Sequence, residues 1–116
     1  MDRLKELIKY KGLQVAPAEL EALLISHPKI ADAAVIGVYN VSQATEVPRA
    51  FIVPKPGINL KDQEVLEFVQ EHLANHKRLR GGVVFVDEIP KSLSGKILRK
   101  ELRQRVADEE TLKPKL

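Results

Sequence analysis

Residues 33–39, Ala33-Ala34-Val35-Ile36-Gly37-Val38-Tyr39, and residues 49–53, Arg49-Ala50-Phe51-Ile52-Val53, are two apolar runs separated by the polar segment 40–48. Neither run alternates cleanly between apolar and polar positions. A strand with one wet face should alternate, so both read as strands covered on both sides. Such strands need helices above and below them, and the flanking sequence offers these. Upstream, Pro17 suits a first helical position, and Glu19 and Glu21 fall where the helix dipole favours anions. Leu20, Leu23 and Leu24 form the apolar stripe of that helix, and Pro28 ends it. Downstream, Pro54, Pro56 and Gly57 break the chain before Asn59, the expected cap of a helix reaching about residue 73. Val65, Leu66, Val69 and Leu73 mark its inner face, and Glu64, Glu67 and Glu71 its solvated one.

Further out, residues 83–86 read as a third core strand. At the other end, Leu7-Ile8 and Leu13-Gln14-Val15 flank Lys11-Gly12, which reads as a hairpin with glycine supplying the backbone freedom of the turn. The expected fold is α+β: a small mixed sheet of about three strands covered by about three helices, with an N-terminal β-hairpin. One domain is expected over residues 1–107, followed by a loose charged tail over 108–116.

Composition narrows the function classes. The 116 residues fit one small domain, and 44% hydrophobic with 30% charged residues describes a globular chain. No stretch reads as a membrane span or a signal peptide. With no cysteine, disulfides and thiolate-bound metal are excluded, and an intracellular setting is expected. His72 and His76 stand four apart without a third ligand nearby, and His27, before Pro28, reads as a capping residue, so no metal is expected. The net charge is +3, with cations grouped at Lys77, Arg78 and Arg80 and again at Lys96, Arg99, Lys100, Arg103 and Arg105. Such groups suit nucleic acid, an acidic lipid surface or a phosphorylated cofactor. Two tyrosines, three phenylalanines and no tryptophan leave little for base stacking, which speaks against single-stranded nucleic acid.

The last cationic group begins in Pro90-Lys91-Ser92-Leu93-Ser94-Gly95-Lys96-Ile97-Leu98-Arg99. Leu98, Leu102 and Val106 recur at helical spacing, Ser94 reads as an N-cap, and Leu93 with Leu98 as a hydrophobic staple. A helix is therefore expected over 94–106, with Lys96 at its second position. A cation there opposes the helix dipole, so its placement asks for a reason other than helix stability. The order Ser-Gly-Lys suggests a lysine delivered, with local backbone N–H groups, to a phosphate or carboxylate. It is not a Walker A loop, which needs Gly at 90 and Ser or Thr at 97, where this chain has Pro90 and Ile97.

Two further stretches join this one. The first is Asp2-Arg3-Leu4-Lys5-Glu6-Leu7-Ile8-Lys9-Tyr10-Lys11-Gly12-Leu13-Gln14-Val15-Ala16-Pro17-Ala18-Glu19-Leu20-Glu21, and the second is Leu79-Arg80-Gly81-Gly82-Val83-Val84-Phe85-Val86-Asp87-Glu88-Ile89-Pro90. With residues 90–99 they resemble the C-terminal domain of acyl-adenylate-forming enzymes, within the branch of 4-coumarate:CoA ligases and luciferases. The resemblance spans nearly the whole chain.

What the resemblance implies is a two-step reaction, in which ATP and a small carboxylic acid give acyl-AMP and pyrophosphate, and the thiol of coenzyme A then displaces AMP. It makes Lys96 the catalytic, nucleotide-binding lysine of adenylation. It places the hinge of a domain rotation at Lys5 and Asp2, and a nucleotide contact at Arg3. Lys9 and Gln14 become catalytic residues facing the acyl-adenylate in the second step, and Lys11 and Gly12 line the coenzyme A path. The implied partner is an N-terminal adenylating domain, which also holds Mg2+ and the adenine and acyl pockets. Without the resemblance, Lys5, Lys9 and Lys11 read as the solvated face of a strand. A small basic module for nucleic acid or an acidic partner is the competing class, and a luciferase-type oxygenase would share the same domain.

Three features complete the reading. Met1 directly before Asp2-Arg3 suggests an introduced start, so the chain is expected to be a fragment, inactive alone. Segment 40–48, with Ser42-Gln43-Ala44-Thr45, departs from the acidic and glycine-rich character associated with relatives there, and no catalytic residue is expected in it. The terminal Pro-Lys-Leu, residues 114–116, is a weak match to a peroxisomal Ser-Lys-Leu address, against a cytoplasmic location.

Overall fold

The computed structural model of the chain describes residues 7–73 and 77–112, with side chains through residue 106. The chain opens with β1 (Ile8–Tyr10) and β2 (Leu13–Val15), followed by α1 (Pro17–Ile25). β3 (Ile30–Asn40) and β4 (Thr45–Pro54) come next, then α2 (Asp62–His72), β5 (Val83–Phe85) and α3 (Arg99–Leu112). β1 and β2 pair antiparallel as a separate hairpin. The three-stranded sheet has the order β3-β4-β5, antiparallel between β3 and β4 and parallel between β4 and β5. The α+β fold with a mixed sheet is as expected from the sequence.

β3 and β4 are covered on both faces, which is why they do not alternate. Ala33 and Val35 of β3 pack with Leu20 and Leu24 of α1, Val65 and Val69 of α2, and Ile8 and Val15 of the hairpin. Ala34 and Ile36 turn the other way and pack with Phe51 of β4 and Leu102 and Val106 of α3. Successive residues of one strand thus enter opposite clusters, and every position is apolar.

Three boundaries differ from the sequence reading. β3 and β4 are longer than the apolar runs, and only residues 41–44 join them. Asn40 pairs with Thr45 and Tyr39 with Glu46, so polar residues extend the ladder where hydropathy alone suggests a loop. α2 starts at Asp62 with Lys61 as its cap, not at Asn59. The Glu64 carboxylate reaches back to accept the Lys61 N–H at 3.1 Å, satisfying one donor of the first turn.

The third difference matters most. The last helix begins at Arg99, five residues after Ser94. Lys91 and Ile97 form an isolated antiparallel bridge, and Gly95 has φ +89°, which ends any helical path through Ser94. Leu93 is exposed, so it staples nothing. At the other end α3 runs to Leu112.

Candidate functional site

Lys96 sits in a closed loop rather than in a first helical turn. Lys96 O accepts the Ser92 N–H at 2.9 Å, Ser92 O accepts the Gly95 N–H at 2.9 Å, and Pro90 O accepts the Leu98 N–H at 2.9 Å. The Ser92 hydroxyl, not that of Ser94, accepts the Lys96 N–H at 3.2 Å. The left-handed conformation at Gly95 carries little penalty only without a Cβ.

Ion pairs pin both flanks of this loop to the body of the fold. Lys91 Nζ lies 2.6 Å from Asp32 of β3, and Arg99 Nη2 lies 2.6 Å from the buried Glu21 of α1. Lys96 itself is exposed, and among the described residues no ion pair or side-chain hydrogen bond holds its ammonium. The loop therefore presents an exposed lysine from a fixed base.

Glu21 was legible in the sequence only as an acidic residue of a helical start, and the structure gives it a different place. Its Oε2 accepts the Val35 N–H at 2.8 Å, while Arg99 Nε donates to Val35 O at 3.2 Å. β3 is the outer strand of the sheet, so the pair satisfies both backbone groups that Val35 turns away from β4. Burial pushes the Glu21 carboxyl up from its ordinary pKa, against the Arg99 hydrogen bond and the Val35 N–H, which pull it down.

The hairpin brings the other candidate residues together. Lys9 and Gln14 are direct cross-strand partners and both exposed, and Lys11 and Gly12 form the turn with φ +50° and +84°. Positive φ at both central positions is the two-residue turn that matches strand twist. Gly12 is thus set first by the turn, and a Cβ there would meet nothing within 4 Å. Ile8 and Tyr10 point inward and are buried, so Lys9 stands on the outer face. No described contact joins Lys96 to the hairpin. The expected hinge residues Lys5 and Asp2, the nucleotide contact Arg3 and the C-terminal Pro-Lys-Leu lie outside the described residues.

The basic groups seen in the sequence are partly used within the fold. Lys77 bonds both carboxylate oxygens of Glu19 at 2.8 Å, and the Arg80 guanidinium lies 4.5 Å from the centre of the Tyr10 ring. α1 is capped by Ser26, not by His27, whose Nδ1 instead accepts the Lys29 N–H at 3.0 Å in the turn that follows. His72 packs on Phe68 at 4.5 Å, and His76 lies outside the described residues. No group of three His, Cys, Asp or Glu among the described residues could hold a metal ion, and no helix among them is long and apolar enough to cross a membrane.

Residues 19–96 match the family model described as the AMP-binding enzyme C-terminal domain. The chain is 57% identical over 107 residues to 4-coumarate–CoA ligase 2 of Nicotiana tabacum, covering 92% of this chain and 19% of that protein. Among solved structures it superposes on an acyl-CoA synthetase of Brucella canis with a TM-score of 0.84 at 32% identity, covering 95% of this chain and 20% of that one. ATP-bound MatB from Rhodopseudomonas palustris gives a TM-score of 0.81 at 30% identity, over 90% of this chain and 20% of that one. The chain spans about a fifth of the length of the relatives it matches.

Proposed function

Because this chain belongs to the AMP-binding enzyme C-terminal domain family, we propose that it is the mobile domain of an ATP-dependent acyl-CoA synthetase, supplying the lysine of adenylation and then the face used for thioester formation. In the first step a carboxylate oxygen of the acid attacks the α-phosphorus of ATP, the bond to the β-phosphate breaks, and pyrophosphate leaves. Two anions approach each other, and the Lys96 ammonium between carboxylate and phosphate oxygens offsets their repulsion. One positioned donor of this kind contributes about 2–4 kcal/mol in the transition state.

In the second step the sulfur of coenzyme A attacks the acyl carbon, the thiol proton passes to solvent, the bond to the phosphate oxygen breaks, and AMP leaves. Lys9 and Gln14 face the acyl-adenylate, and the Lys11–Gly12 turn lines the approach of the pantetheine arm. The domain exchanges one face for the other by rotating about the segment that carries Asp2, Arg3 and Lys5. The adenine pocket, the acyl pocket and the Mg2+ that accompanies ATP belong to an N-terminal adenylating domain. The described residues of this chain do not fit a metal site, and no step is assigned to the ion.

The observation that carries this reading is the Lys96 loop, held by Lys91–Asp32 and Glu21–Arg99 while its own ammonium is unpaired among the described residues. The test separates the two half-reactions in an enzyme made by fusing this chain behind the remaining four fifths of the tobacco ligase. With 4-coumarate and ATP, Lys96→Ala lowers pyrophosphate release by about two to three orders of magnitude, as for loss of one transition-state donor. Thioester formation from supplied acyl-AMP survives, and Lys9→Ala or Gln14→Ala gives the reverse pattern. Equal loss of both steps in Lys96→Ala would overturn the assignment.

A further inference from the structure

Segment 40–48 carries no proposed catalytic residue, yet its end makes four contacts with the hairpin that presents Lys9, Lys11 and Gly12. The Thr45 hydroxyl donates to Lys9 O at 2.9 Å and accepts the Lys11 N–H at 2.9 Å. The neighbouring Glu46 carboxylate accepts the Lys9 N–H at 3.1 Å. Gln43 Oε1 accepts the Tyr10 hydroxyl at 3.1 Å.

Thr45 occupies an unusual chemical position. In a parallel ladder one residue donates its N–H to residue i−1 of the neighbouring strand and accepts the N–H of residue i+1. The Thr45 hydroxyl does both, toward the residues on either side of Tyr10, and so acts as one step of a third strand along β1. A hydroxyl is among the few side-chain groups that can give and take at the same atom. A two-stranded hairpin of three residue pairs is marginal by itself, so its placement depends on what it docks against. The buried Ile8, Tyr10 and Val15 hold it to the core, but apolar contacts alone do not fix its position along the strand axis. The Thr45 hydroxyl and the Glu46 carboxylate do, because each bond names one backbone atom. Thr45 and Glu46 are the first two residues of β4, so the register of the main sheet is passed directly to the hairpin.

We propose that Thr45 is a positioning residue for thioester formation: its hydroxyl fixes where the Lys9 to Gly12 segment stands, and thereby the geometry offered to coenzyme A. This rests on the reading of the hairpin as the thioesterification face. Thr45 touches neither substrate nor nucleotide and acts only through the backbone of Lys9 and Lys11. Thr45→Val keeps the shape and removes both bonds, whereas Thr45→Ser keeps the hydroxyl.

The test uses the same fusion enzyme and measures pyrophosphate release and thioester formation separately, with KM for coenzyme A. Two lost hydrogen bonds correspond to a change of about tenfold. The expected result is that Thr45→Val raises KM for coenzyme A, or lowers kcat/KM of the thioester step, by about that factor. Pyrophosphate release from 4-coumarate and ATP stays within twofold of the parent, which also reports that the domain is folded. Thr45→Ser restores the thioester step. A Thr45→Val enzyme with parental thioester kinetics, or with both half-reactions reduced alike, would overturn the proposal. Lys9→Ala keeps the two failures apart. If Lys9→Ala impairs the thioester step while Thr45→Val does not, only the role of Thr45 falls; if Lys9→Ala spares that step, the reading of the hairpin falls and the role of Thr45 with it.

Discussion

Glu21 and Arg99 lie 78 residues apart in the chain and meet at 2.6 Å, bracketing the backbone of Val35 between them. The contact ties the second turn of α1 to the first residue of α3 and closes the exposed edge of β3 at one residue. It also fixes the chain three residues after Lys96. A buried pair of this kind is weak evidence for net stability, because both charges must be desolvated. Its consequence is geometric: if the start of α3 moves, both Glu21 Oε1 and Val35 O lose the donor that Arg99 supplies.

Arg99→Met leaves the Glu21 carboxylate buried without its cation and should destabilise the domain by about 3–5 kcal/mol. Glu21→Leu combined with Arg99→Met removes both charges and should recover most of that loss, less the cost of two unsatisfied backbone groups at Val35. Urea midpoints of the three proteins give the comparison. A double variant no better than Arg99→Met would show that the pair is not coupled.

Acid dependence follows from the same carboxyl. Burial raises the Glu21 pKa in the folded state above the ordinary 4.5. The folded protein then binds this proton more readily than the unfolded chain does. The contribution of Glu21 to stability is therefore fully present below about pH 4.5 and is lost as pH rises through the folded-state pKa. Glu21→Gln cannot titrate, so its stability relative to the parent should increase with pH across that window. Glu64 works in the opposite sense, since the Lys29 ammonium lowers its pKa, and it loses stability as pH falls. Urea titrations of parent and Glu21→Gln at a series of pH values test the sign. A stability of Glu21→Gln relative to the parent that falls as pH rises would refute it.

How much of this was readable from sequence depends on range. The core strands were legible in Val35, Ile36, Phe51 and Ile52 because burial on both faces removes alternation, a local signature. The hairpin was legible in Lys11-Gly12, where the turn itself dictates residue type. The Lys96 motif is legible as a pattern of letters, but its conformation is not. Leu98, Leu102 and Val106 set a helical period that runs backward into Ser94 equally well. Only the bridge between Lys91 and Ile97 and the positive φ of Gly95 stop it. Glu21 and Thr45 were opaque for a different reason. Each acts on backbone atoms of distant residues, Val35 in one case and Lys9 and Lys11 in the other, and backbone partners leave no trace in residue identity.

The two apolar clusters should melt as one. Ala33 and Val35 belong to one cluster, and Ala34 and Ile36 of the same strand to the other. Removing either cluster bares one face of β3 and β4, so the remaining half has no folded partner. The chain alone should therefore unfold in a single cooperative transition. Leu24→Ala on one side and Leu102→Ala on the other should each shift that transition by about 2–5 kcal/mol without splitting it. Far-ultraviolet circular dichroism and tyrosine fluorescence provide the two probes. Non-coincident curves would show that α3 folds as a separate unit.

Gly95→Ala is expected to separate stability from adenylation. Gly95 has φ +89°, and a Cβ there would meet nothing within 4 Å, so the penalty of alanine is conformational rather than steric crowding. An alanine held in that region costs about 1–3 kcal/mol, and the loop can avoid most of it by relaxing away from the observed turn. Relaxation breaks the Gly95 N–H bond to Ser92 O and the Ser92 hydroxyl bond to the Lys96 N–H, while Lys91–Asp32 and Glu21–Arg99 hold the loop base in place. The domain should then lose little stability, under about 1 kcal/mol, but Lys96 should lose its fixed direction. In the fusion enzyme, pyrophosphate release should fall by about tenfold or more, because a positioned charge that wanders no longer meets the phosphate as the barrier is crossed. Thioester formation from supplied acyl-AMP should be unchanged, since the hairpin is anchored elsewhere. An enzyme with parental adenylation would mean that Lys96 finds its place from the substrate side, and that the shape of this loop does not matter.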